Sequence, residues 1–315
     1  MTEVSTILGA KGYLSLVDES VWGTLPGSPT YVHVPVSDYG VKFAPVNRQG
    51  NPFLGLRQRK QNRNVKGMIQ GGCNLPLFGW VPAGLSGKSL AQHVLEWAFA
   101  NHEALVLPSK TAEWAIGPNV ANKRHLGLRV NQATLSGGED QGITLALDLQ
   151  GKDEELFPTA QTLPTSRNKL LEFEFEDCTF TIGGTPVPIG AFQWQVQNNL
   201  APNYWNARRL QSLAPGDRVE TFTITPPKQT NAWQEAIKQN LPDEVVGVLT
   251  LKGLHNGTGA VDTDWNQCVI TFPLLSLVSV DEQGGRGILT EPLSWVCLKP
   301  DTSSHASTMV WTDEE

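Results

Sequence analysis

The sequence predicts a mainly β chain, built from antiparallel sandwich or barrel units with flanking helices. Three observations point there. Short stretches alternate apolar and polar residues, as in Tyr31-Val-His-Val-Pro-Val and Leu171-Glu-Phe-Glu-Phe-Glu, which is the period of a half-buried strand. Turn residues recur between such stretches, with 30 Gly and 21 Pro in 315 residues. Only two segments carry the 3.6-residue period of an amphipathic helix.

The first helix is expected at about 89–101. Ser89 and Gln92 have capping-box spacing, and Leu90, Val94, Trp97 and Ala98 fall on one face. The second is expected at about 231–241, with Trp233, Ile237 and Leu241 as its stripe and Pro242 ending it. Strands are expected at 31–36, 127–135, 143–149, 192–197, 219–225, 245–251, 269–277 and 293–298. Glu172, Glu174 and Glu176 share one strand face, while Cys178, Phe180 and Ile182 take the opposite parity. A bulge near Asp177 would produce that switch.

This reading divides the chain into a β-rich unit at 1–150, a linker at 151–169 and a second β-rich unit at 170–315 with a flexible C-terminal tail. The linker holds Asp153, Glu154, Glu155, Pro158 and Pro164. Charge splits at the same place. Residues 1–150 carry 13 Lys and Arg against 10 Asp and Glu, a balance of +3; residues 151–315 carry 11 against 21, a balance of −10. Such a polarised subunit suits head-to-tail stacking. A charged fraction of 17% with 10 Trp also suits a surface covered by partners, because interfaces shed charge and gather aromatics.

Several classes are excluded. No run approaches the ~18 apolar residues of a membrane span, and the N-terminus lacks the basic start and apolar core of a secretory signal. Cys73, Cys178, Cys268 and Cys297 have no Cys-x-x-Cys or zinc spacing and read as reduced, mostly buried thiols of a protein made in a cytoplasm. Gly87-Lys88-Ser89 ends like a phosphate loop, but Pro82 stands where the motif needs Gly. Asp262, Asp264 and Asn266 start like a calcium loop that Gln267 and Pro273 break. The Asn256-Gly257-Thr258 sequon means nothing without export. No catalytic, cofactor-binding or metal-ligating set emerges. One basic segment stands out: Arg57, Arg59, Lys60, Arg63 and Lys66, within 47–67. It reads as a long loop or hairpin arm suited to an acidic neighbour, since it lacks the interleaved aromatics that stack nucleic-acid bases.

The sequence resembles the tail tube proteins (major tail proteins) of long-tailed bacteriophages, in their long form. The likeness runs over roughly 9–300. It is carried by Gly12-Tyr-Leu-Ser-Leu-Val-Asp-Glu-Ser-Val-Trp-Gly-Thr, the turn Pro26-Gly-Ser-Pro, the Arg-bearing loop running into Val65-Lys-Gly-Met-Ile-Gln-Gly-Gly, and the helix at Ser89. In the second half it is carried by Phe180-Thr-Ile-Gly-Gly, Phe192-Gln-Trp-Gln-Val-Gln-Asn-Asn-Leu, Leu213-Ala-Pro-Gly-Asp-Arg-Val-Glu-Thr-Phe-Thr-Ile-Thr and Val269-Ile-Thr-Phe-Pro-Leu.

The resemblance implies a non-enzymatic virion protein without cofactors. Its β-sandwich or barrel domains form rings of six, and the rings stack into a tube around a tape-measure protein. Tail terminator and baseplate or tip proteins cap the ends. Double-stranded DNA passes through the channel without sequence-specific binding, and no membrane is involved. Assembly takes place in the bacterial host cytoplasm. A chain with two tube domains needs three copies per ring, and a chain with one needs six; both stay open, with six preferred. Under this resemblance Glu172, Glu174 and Glu176 are the candidate lumen-facing acids, with outward solvent exposure as the alternative. Arg57, Arg59, Lys60, Arg63 and Lys66 are the candidate inter-ring arm. Two other readings stand beside it: a β-sandwich carbohydrate-binding module using exposed Trp, and a β-rich hydrolase with its acid pair in 172–177.

Overall fold

The computed structural model describes residues 13–50, 61–82, 85, 87–100, 106–115, 122–139, 141–157, 172–228, 230–238, 244–254, 265–281, 289–301 and 305–313. The fold is mainly β and antiparallel, as the alternation predicted. Strands β1 (Tyr13–Asp18), β2 (Val32–Val34), β3 (Asp38–Tyr39), β4 (Lys42–Gly50) and β5 (Gln61–Pro76) precede helix α1 (Leu90–Phe99). There follow β6 (Lys110–Ala115), β7 (Asn122–Gly138), β8 (Gln141–Gly151) and β9 (Asp153–Phe157). The second half adds β10 (Thr179–Ile182), β11 (Thr185–Pro186), β12 (Ala191–Gln197), β13 (Ala201–Asn203), β14 (Ser212–Ala214) and β15 (Val219–Ile224). Helix α2 (Ala232–Lys238), β16 (Glu244–Leu254), β17 (Trp265–Val280), β18 (Leu293–Cys297) and β19 (Thr308–Asp313) complete it.

A long central sheet runs β4-β5-β8-β7-β12-β15-β18-β17-β16-β10. The two halves of the chain meet inside it, where β12 pairs β7 from Ala191↔Gly138 to Gln197↔Gln132. Strand β7 serves two neighbourhoods. Its first residues pair β6 and β9, and its later ones pair β8 and β12. Gly127 sits at the change-over with φ +70, and a Cβ there would lie 2.7 Å from Trp22 Nε1. Only glycine meets both demands.

One apolar core draws on both halves. Trp194 stacks on Phe99 of α1 with ring centroids 4.0 Å apart and meets Phe272 edge-on at 5.4 Å. Phe222 packs against Phe272, Phe180 and Trp295. Helix α1 is capped as its sequence foretold, with the Ser89 hydroxyl accepting from Gln92 N–H. Lys88, just before the cap, donates its Nζ to Glu96 of the helix at 2.6 Å, so the Gly87-Lys88-Ser89 segment serves the helix.

The structure corrects several expectations. The linker begins in strand β9, which pairs β7 from Leu126↔Asp153 to Asn122↔Phe157. Its acidic residues face the basic run opposite: Glu154 contacts Lys123 at 3.4 Å and His125 at 3.1 Å, and Glu155 contacts Arg124 at 3.5 Å. The rest of the linker, 158–169, lies outside the described residues. The flexible C-terminal tail is likewise a strand, with β19 pairing β17 because Met309 and Trp311 pack against the core. Instead of a bulge at Asp177, a single 3₁₀ turn at Phe175–Asp177 reverses the parity, closed by Cys178 N–H donating to Phe175 C=O. Helix α2 buries none of its residues. Ile237 is exposed, and only Trp233 reaches the core, edge-on to Trp295.

Candidate functional site

The central sheet has one apolar face and one open face, because successive side chains on a strand point to opposite sides. On the open face, register partners form transverse rows. Asn74, Ala146, Thr134, Gln195, Thr221, Val296 and Ser276 align across seven strands. Pro76, Thr144, Ser136, Gln193, Thr223, Ser294 and Ser279 form the next row. A shorter row joins Gly72, Asp148, Gln132, Gln197 and Val219. These rows hold one ionisable side chain, Asp148, whose carboxylate accepts from Asn131 Nδ2 at 2.7 Å. Neighbouring hydroxyls pair along the face, Ser136 with Thr144 and Thr223 with Ser294. Within these rows the surface is polar, with hydrogen-bonding groups and no cation; Arg129 and Lys42 stand at its edge, in the row of Gln70 and Gln150.

Glu172 and Glu174 reach the rim of this face. Phe173 is fully buried between β5 and β8, donating its N–H to Leu77 and accepting from Ile143 N–H. The bridge of Glu174 to Gly142 puts Glu174 on the same side as Thr144, and Glu172, two residues away, shares that side. Glu176 is separated from them by the 3₁₀ turn. All three are exposed.

Of the basic segment, Arg57, Arg59 and Lys60 lie outside the described residues. Arg63 lies on β5 opposite Arg48. Lys66 is exposed, with its ammonium 4.5 Å from the ring centroid of Tyr204. Asp262 and Asp264 also lie outside the described residues.

Two features escape sequence reasoning. The first is a buried polar group under α1. Lys110 Nζ donates to His93 Nε2 at 3.0 Å and to Asp18, beside a cleft of about 570 Å³ whose far wall includes Ser307 and Trp311. Burial, with Lys110 adding to it, pushes His93 down to about 4. Burial also lowers Lys110, against the pull of Asp18. The second is Trp205, at the first central position of the turn Tyr204–Ala207, which Ala207 N–H closes on Tyr204 C=O at 2.8 Å. Its φ is +44, and it is 76% exposed. Such a turn favours glycine at that position, and an L side chain there costs ~1–2 kcal/mol. Trp205 is exposed, whereas Trp97, Trp194 and Trp295 are buried.

A protein-family model described as phage tail tube protein matches residues 9–262. No curated protein matches the chain. With that match covering most of its length, and with a mainly β fold, the chain belongs to the phage tail tube protein family.

Proposed function

We propose that copies of this chain form stacked rings whose open sheet faces join into the lining of a channel for double-stranded DNA. The observation that carries this reading is the near-absence of charge in the polar rows, two of which cross seven strands. Tight DNA binding comes from cations that neutralise phosphates. A wall of Gln, Thr and Ser offers none, so a duplex slides along it without sticking. Glu172 and Glu174 at the rim add repulsion where DNA enters or leaves. The tape-measure protein occupies the channel before DNA, terminator and tip proteins close the two ends, and the site of action is the virion tail of a long-tailed phage. Arg57, Arg59, Lys60, Arg63 and Lys66, within the arm at 47–67, contact the neighbouring ring.

The width of the face favours three copies per ring. Neighbouring strands lie ~4.8 Å apart, so seven of them span ~34 Å of wall. Three copies then enclose a channel ~32 Å across between backbones, and six copies one ~64 Å across. The smaller bore fits a duplex with side chains around it. Electron microscopy of the purified chain tests the proposal. Stacked rings with threefold symmetry are the expected result, sixfold rings would overturn the copy number, and monomers at high concentration would overturn the function.

A further inference from the structure

We propose that Trp205 is a knob that seats in a glycine-lined cleft of a second copy of this chain, joining copies end to end along the central strands. The inference rests on the tube reading above and names the contact between successive rings.

Knob and cleft sit at opposite ends of one strand. The cleft, about 470 Å³, is lined by Gly137, Gly138 and Glu139 at the end of β7 and by Gly190 and Ala191 at the start of β12. Trp205 follows the far end of β12, beyond the short strand β13. The six steps along β12 alone separate the two ends by ~20 Å. Both features lie on the open side of the sheet. Ser136, Gln193 and Thr223 of the polar rows complete the cleft wall. The β13–β14 hairpin packs Tyr204 and Leu213 against Met68, two residues from Gln70 and on its side of β5. Arg129, opposite Gln150, donates to Leu213 C=O. A shift along the strands therefore carries the knob of one copy to the cleft of the next without turning the molecule over. Such a head-to-tail contact does not close on itself and builds a stack.

Charge agrees with this pairing. Beside the knob stand the exposed cations Lys66, Arg208 and Arg209, of which Arg209 also contacts Asp153 at 2.7 Å. Beside the cleft stand the exposed Glu139, Glu172 and Glu174. Small residues leave room for an indole, and Trp is among the side chains enriched as interface anchors. A bulky aromatic held in a glycine conformation and left in water does nothing for the monomer; burial in a neighbour gives it a use.

Purified full-length chain and electron microscopy test the proposal. Trp205→Gly removes the knob and relieves the backbone, so the monomer melts a few degrees higher while ring-to-ring association weakens roughly 30-fold and rings remain single. Gly138→Leu fills the cleft instead. A Cβ there meets only Ala191 Cβ at 3.6 Å and Gly190 O at 3.7 Å, so the fold is kept and stacking is lost from the other side. Mixing the two variants leaves one intact knob and one intact cleft, and pairs of rings form without tubes. Tubes of normal length from either variant would overturn the proposal, as would a lower melting temperature for Trp205→Gly. Wild-type chain that forms no rings would overturn the tube reading itself, whereas wild-type tubes left unchanged by Trp205→Gly would overturn the knob alone.

Discussion

Along β12, Phe192, Trp194 and Val196 are buried on one face, while Gln193, Gln195 and Gln197 stay open on the other. The same contrast repeats on β15, where Phe222 and Ile224 are fully buried and Thr221 and Thr223 are not. One face is close-packed aromatic surface that cannot change volume without a penalty. The other touches little and is free to be selected for what it lacks. The difference shows how one run of residues holds the fold and leaves a wide surface for function at the same time.

The largest break in this comparison comes from the packed face. Trp194→Ala empties the space between Phe99 and Phe272 and lowers stability by ~3–5 kcal/mol, measured as the urea midpoint. A loss under 1 kcal/mol would mean that the two faces do not divide labour as described.

Acid comes next, acting on the polar group beneath α1. His93 is neutral in the folded chain, with its pKa pushed down to about 4 from 6.5. The unfolded chain takes up the proton first. The stability it contributes is therefore whole above pH 6.5 and is lost as pH falls from 6.5 through about 4. Urea midpoints for wild type and His93→Gln across that range check this, and the variant should show the flatter profile. Parallel profiles would remove His93 from the account.

Ser89→Ala deletes the cap of the helix that covers the packed face and costs ~1 kcal/mol. The same denaturation measurement reads it, and Ser89→Asp should recover most of the loss.

The smallest change in stability sharpens the comparison most. Ala146→Lys, Gln195→Lys and Val296→Lys, alternate positions of one row away from the cleft, together shift the urea midpoint by less than ~0.5 kcal/mol, as surface substitutions usually do. Yet a tube lined with them retains duplex DNA, and each added phosphate contact steepens the salt dependence of that binding. DNA retention by purified tubes at low and high salt is the measurement. Indifference to DNA would mean that this face does not line the channel.

Much of this was legible in the sequence. The strands of the central sheet announced themselves by alternation, and α1 by its Ser89 cap. The rows were not legible, because each strand shows its own polar face and only register lines them up. The pairing of Lys123-Arg124-His125 with Asp153-Glu154-Glu155 was also hidden. Read singly, the acidic run looks like solvated linker, and only the neighbouring strand makes it structural. The strand at Thr308–Asp313 was not legible either, because the core that holds Met309 and Trp311 is assembled from distant segments.

By itself, the sequence determined which residues alternate and where a helix begins, since these depend on neighbours a few positions apart. The tertiary structure decided that two differently charged halves share one sheet, that their uncharged positions fall into common rows, and that Trp205 takes a left-handed backbone in open water. Those outcomes depend on strand register and on a turn closed by distant packing, and no local pattern encodes them.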